Sequence, residues 1–108
     1  MQYIYLHELA KTIRSKNAGT DRITFDIIFE KKSDYENVCN SNMLTKESVA
    51  ELYNISEERI TDFVLYDPAN AIKFTIDRLR PSGSPGDSDI FGSQQYAPLL
   101  DVQIPVHQ

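Results

Sequence analysis

The stretch RITFDIIFE, residues 22–30, constrains the fold more than any other part of the chain. Its side chains alternate strictly: Ile23, Phe25, Ile27 and Phe29 fall on one face of an extended backbone, and Thr24, Asp26, Ile28 and Glu30 on the other. A strand with one apolar face must bury that face against a second layer, so the chain needs both a sheet and something to cover it. TDFVLY and AIKFTIDRL, rich in β-branched and aromatic residues, flank DPAN, a turn with Asp first and Pro second. That arrangement predicts a hairpin. In its second strand Ile72, Phe74 and Ile76 face one way and Lys73, Thr75 and Asp77 the other, the pattern of a sheet with one wetter face. LLDVQIPV alternates through Leu100, Val102, Ile104 and Val106 and predicts a last strand. Pro105 lacks a ladder donor, which puts that strand at an edge or ends it there.

Helical signals supply the covering layer. Leu6, Leu9, Ala10 and Ile13 form an apolar stripe at helical spacing, with His7, Lys11 and Arg14 on another face, and SKNAG is expected to stop that helix. Asn17 or Gly19 would take the left-handed backbone angles of the stop, and Arg14 and Lys16 would favour the negative end of the helix dipole. Ser33 and Glu36 are spaced as a capping box ahead of Tyr35, Val38 and Cys39, a short second helix. Thr45 caps a third, with Leu44 and Val49 as a hydrophobic staple and Val49, Leu52 and Tyr53 on its buried side. Ser56 starts one more helical turn. The expectation is one α+β domain over residues 1–108, with three to four helices on one face of a mostly antiparallel sheet of about four strands.

Composition narrows the function classes. A net charge of −5 opposes a sequence-independent grip on nucleic acid, which needs Lys and Arg to neutralise phosphates. Cys39 is the only cysteine, so an internal disulfide and a multi-cysteine metal cluster are excluded and a reducing compartment is expected. It reads as a small core hydrophobe rather than a nucleophile. No run approaches the ~20 apolar residues of a membrane span, and no basic segment followed by an apolar run opens the chain. The expected location is the cytoplasm, with no membrane contact and no cofactor.

Residues 81–100, PSGSPGDSDIFGSQQYAPLL, concentrate the chain's turn formers. Structureless connections longer than about 12 to 15 residues are uncommon in compact domains and tend to be functional or disordered. Ile90, Phe91, Tyr96, Leu99 and Leu100 can anchor this one, unlike a uniform Gly/Ser spacer. Ser82, Gly83, Ser84, Gly86, Asp87, Gln94 and Gln95 are therefore nominated as ligand or interface residues, against the plainer reading of an ordered surface crossover. GSPGD is no phosphate-binding P-loop, because no Lys-Ser or Lys-Thr pair follows the glycines. Asp87 and Asp89 alone do not make a metal site.

A second nominated group is Arg14, Ser15, Lys16, Asn17 and Gly19, whose donors suit a carboxylate or phosphate. Asp67 and Asn70 join as candidates, although both are natural turn formers. Asp26 is the odd polar residue of the strongest strand, and reads as a hydrogen-bonded face residue before an acid or base. His7 and His107 sit on a helix surface and near the last residue, so no nucleophile and base pair is assigned, and the catalytic residues stay unnamed.

LHELAKTIRSKNAG, TFDIIFE, LYDPANAIKFTIDR and the SGSPGD, GSQQ and APLLD run together resemble a small domain family of unknown function. Its members stand alone or form the C-terminal part of AtuA-like proteins, named for acyclic terpene utilisation. The resemblance implies a larger AtuA-like partner and a role in bacterial catabolism of organic acids or their coenzyme A thioesters. No chemistry carries over by residue. The expected protein is an accessory subunit whose Gly/Pro segment helps form an interface or ligand pocket. The alternatives are a stand-alone hydratase, lyase or isomerase, with Arg14 holding a carboxylate and Lys16 or Asp87 as acid and base, and a homodimeric module that binds a small anion; a homo-oligomer is also open.

Overall fold

The computed structural model describes residues 2–19, 21–77 and 97–106. Four antiparallel strands form the main sheet in the order β2-β3-β5-β4: β2 (Thr12–Asn17), β3 (Arg22–Ile28), β4 (Ile60–Tyr66) and β5 (Ala71–Asp77). A separate two-stranded ladder joins β1 (Gln2–Tyr5) to β6 (Gln103–Val106). Helices α1 (Leu6–Leu9), α2 (Lys32–Ser41), α3 (Lys46–Tyr53) and α4 (Ala97–Leu100) complete the α+β domain. None of the described helices is long and apolar enough to cross a membrane.

The core follows from the alternation of β3. Its Ile23, Phe25 and Ile27 are buried, as are Ile72, Phe74 and Ile76 of β5, and Tyr35, Val38, Val49 and Ala50 of α2 and α3 join the same cluster. Strand register aligns Ser15, Phe25, Phe74 and Phe63 in one row. Phe74 stacks on Phe25 at 4.6 Å and on Phe63 at 5.9 Å, and Tyr53 tilts onto Phe25 at 5.5 Å. Offset aromatic pairs of this kind add about 0.5–1.5 kcal/mol beyond simple burial. The middle of the sheet is thus fastened to α3 by a four-ring aromatic chain.

Several local expectations are corrected. The helix expected to run from Leu6 into SKNAG ends at Leu9, where Ala10 turns extended and the Lys11 amide donates to the Ile28 carbonyl at 2.8 Å. From Thr12 the chain is strand. The i, i+3 spacing of Leu6 and Leu9 is real, but Thr12 and Ile13 are β-branched and pairing with β3 satisfies a whole row of backbone groups that would otherwise form an open edge. SKNAG is therefore a strand end and turn, not a helix stop; Gly19 takes the left-handed angle (φ +87°), while Asn17 stays in β2.

The capping box expected at Ser33 and Glu36 does not form. Helix α2 begins at Lys32 with Lys31 as its uncapped N-cap residue, so Ser33 already lies inside the first turn. At α3 the expected cap is present: Thr45 accepts from the Ser48 amide at 3.1 Å and the Ser48 hydroxyl accepts from the Thr45 amide at 2.7 Å, a reciprocal pair. Leu44 and Val49 are buried as expected, whereas Leu52 is exposed and Ala50 takes its place inside. A single 3-10 turn follows Ser56, whose side chain makes no cap bond.

The DPAN hairpin is as expected, with Asn70 left-handed at φ +50°. The last strand is shorter than LLDVQIPV and pairs elsewhere. Leu100 belongs to α4, and β6 joins β1 rather than the main sheet, whose fourth strand is β2. Pro105 sits opposite Tyr3 in that two-stranded ladder, where its missing donor is tolerated. Of the expected anchors of residues 81–100, Leu99 is fully buried and Leu100 half-buried. Ile90, Phe91 and Tyr96, like residues 82–95 generally, lie outside the described residues.

Candidate functional site

Helices cover one face of the main sheet. On the opposite face register fixes which side chains meet, in three successive rows: Thr12, Ile28, Ala71 and Tyr66; Arg14, Asp26, Lys73 and Val64; Lys16, Thr24, Thr75 and Asp62. The middle row is the chemical centre. Asp26 is only 5% exposed, yet Arg14 Nε donates to its Oδ2 at 3.1 Å and Lys73 Nζ lies 3.8 Å from its Oδ1. A carboxylate removed from water is costly unless paired, and here each oxygen faces a cation.

The cations themselves stay in water. The side chains of Arg14 and Lys73 are 60% and 48% exposed. Two positive groups share one negative group, so the row carries one positive charge in excess. Arg14 uses one of its five N–H donors in the bond to Asp26, and a guanidinium can engage an oxyanion with others. In the next row the hydroxyls of Thr24 and Thr75 approach to 3.5 Å. On the other side lie Ile28, Ala71 and Tyr66, and the Lys73 ammonium sits 5.8 Å from the Tyr66 ring centre. A charged patch borders an apolar one.

This places the sequence candidates unequally. Arg14 and Lys16 lie together on the open face. Ser15 and Asn17 alternate to the opposite face, and Ser15 is buried there in the aromatic row. Gly19 shapes the β2–β3 turn, in which the Ala18 amide donates to the Arg22 carbonyl at 2.8 Å. Asp67 and Asn70 are at the far end of the sheet, next to Ala71 and Ile28. Both make hydrogen bonds within the fold: Asp67 accepts from the Tyr35 hydroxyl at 2.5 Å, and the Asn70 carbonyl accepts from the Phe29 amide at 2.9 Å. Ser82, Gly83, Ser84, Gly86, Asp87, Gln94 and Gln95 lie outside the described residues. Lys73, Thr75, Thr24 and Tyr66 were not nominated; the wetter alternation of β5 was the signal for Lys73 and Thr75, but only register puts Lys73 beside Asp26.

Two further features lie away from this face. Beside Tyr35, burial pushes the Cys39 thiol pKa up, so at neutral pH it is a thiol and a poor nucleophile. Burial, helped by the Asp67 bond, likewise raises the pKa of Tyr35. An apolar groove of about 350 Å3 runs between α3 and the approach to β6, walled by Met43, Leu44, Leu52 and Val102. It gathers none of the nominated residues. Among the described residues no three His, Cys, Asp or Glu side chains are grouped to hold a metal ion.

No curated protein and no solved structure matches the chain. The family model described as a domain of unknown function, DUF4387, matches residues 6–103. That span runs from α1 into β6 and includes the whole main sheet. The chain belongs to the DUF4387 family of domains of unknown function.

Proposed function

We propose that the protein is a small subunit or accessory domain that pairs with a larger AtuA-like protein in bacterial catabolism of organic acids or their coenzyme A thioesters. The resemblance set out above motivates the choice of partner. One structural observation carries the idea of pairing. Val64, Leu65 and Tyr66 are consecutive on the edge strand β4 and each is 48% exposed.

Successive strand residues point to opposite faces, so a strand at the rim of a folded domain ordinarily hides every second side chain. Here the side chains on both sides are about half-exposed. Leu65 shares its row with the buried Ile72 and Ile27, yet stays 48% exposed. An edge strand with apolar side chains on both faces is a template for another chain, which can add backbone hydrogen bonds and cover the side chains together. The opposite edge, β2, carries Arg14 and Lys16, charges that discourage such pairing.

Purification of the chain from its native source with an AtuA-like protein attached, and thermal stabilisation of the chain by that protein, are the expected results. Leu65→Lys and Val64→Glu should leave the chain folded, because both positions are exposed, and abolish the pairing. A monomer indifferent to the larger protein contradicts the proposal.

A further inference from the structure

We propose that the open face of the main sheet is a binding site for a monocarboxylate that carries an apolar chain. The site is complete within one chain; it shares Val64 and Tyr66 with the edge offered to the partner above, and its test uses the chain alone. Three observations define the ligand. Arg14 and Lys73 converge on a single buried carboxylate, that of Asp26, which leaves one uncompensated positive charge between two solvated cations. One charge calls for a monoanion rather than a phosphate dianion. The excess is local: the whole chain carries −5, and in the neighbouring row Lys16 shares the face with Asp62.

The second observation is what holds the cations. Lys and Arg on an open surface normally lose side-chain freedom when they grip a ligand, and that cost weakens binding. Asp26 has already drawn both head groups to one point, so a carboxylate arriving above it meets donors that are ordered in advance. Arg14 still has guanidinium N–H groups beyond its Nε bond, and Lys73 has three ammonium protons.

The third observation sets the rest of the molecule. Along the middle row Lys73 is followed by Val64, and the adjoining row supplies Ile28 and Tyr66 on either side of the buried Ala71. A carboxylate seated at Arg14 and Lys73 can lay an aliphatic chain across these side chains, removing apolar surface from water on both molecules. In the opposite direction its chain would meet Thr24, Thr75 and Lys16, which offer no such gain. The face therefore fixes polarity, head group toward β2 and tail toward β4.

Amide NMR titration of the full chain tests this, with hexanoate as the probe and acetate, inorganic phosphate and sodium chloride compared at equal ionic strength. Hexanoate should move the resonances of Arg14, Asp26, Lys73 and Tyr66 saturably, and bind at least about threefold more tightly than acetate because of its longer chain. Arg14→Gln and Lys73→Gln should each weaken hexanoate about tenfold, the scale of one charge-assisted hydrogen bond. Core amide dispersion checks the fold of each variant, and Lys73→Gln is the safest because Arg14 still pairs with Asp26. Preference for phosphate, equal affinity for acetate and hexanoate, or an unchanged response in Lys73→Gln overturns the proposal.

Discussion

Phe74 and Lys73 are neighbours on β5, and one peptide bond separates two environments. Phe74 is sealed between Phe25 and Phe63, while the ammonium of Lys73 stands in water over a buried carboxylate. The same strands thus make a face that holds the molecule together and a face that is arranged but left open. The difference teaches that order on the open face is electrostatic. Among the described residues Asp26 is the one acidic side chain drawn below the surface, and it fixes two cations that packing alone would leave free.

If that division is right, substitutions on the two faces should differ in kind as well as size. Phe74→Ala should be the most damaging, at about 3–5 kcal/mol of unfolding free energy, because it empties the centre of the aromatic chain. Urea denaturation gives the number, and a loss below about 1 kcal/mol would mean that the stack is ornamental. Asp26→Ala should cost about 1–2 kcal/mol: it removes a hydrogen-bonded buried charge, but its partners are well solvated and recover much of the loss in water. A cost as large as that of Phe74→Ala would make the open face structural.

A slope in pH separates the faces differently. Burial raises the pKa of Tyr53, and burial with the Asp67 bond raises that of Tyr35, so the folded chain holds both phenols neutral beyond the point at which the unfolded chain ionises. Their contribution is complete below the ordinary tyrosine pKa of about 10 and is lost as pH rises above it. Cys39, raised by burial, adds a loss that begins nearer its ordinary value of about 8.5. Stability measured from pH 8 to 11 should fall, and Tyr53→Phe should flatten the fall. The smallest expected effect is that of Thr75→Val, about 0.5 kcal/mol, because the Thr24 and Thr75 hydroxyls are at the limit of hydrogen-bond distance.

The covered face was legible in the sequence because a period of two writes the core of β3 and β5 directly: Ile23, Phe25, Ile27, Ile72, Phe74 and Ile76 are all inside. The hairpin was legible from DPAN, and the Thr45 cap from one residue type ahead of an apolar run. The open face was only half legible. Arg14 and Lys16 were nominated as anion donors while assigned to a helix end, since LHELAKTI carries a helical stripe in its first half and nothing local reveals that β3 needs a partner on that side. The pairing of Asp26 with Lys73 depends on residues 47 positions apart and on register, which no local pattern contains. Leu52 misled for a related reason: its spacing is that of a buried residue, but it lines a groove that no described element fills.

Unfolding of the wild-type chain and Lys73→Gln with and without hexanoate tests the division of the sheet most directly. Without hexanoate the two should agree within about 1 kcal/mol, because the substituted side chain is half-exposed and Arg14 still pairs with Asp26. At ten times the wild-type Kd, hexanoate should stabilise the wild type by about 1.4 kcal/mol and a variant with tenfold weaker affinity by about 0.4 kcal/mol. A variant several kcal/mol weaker without hexanoate, or equal stabilisation of both proteins, would contradict the account.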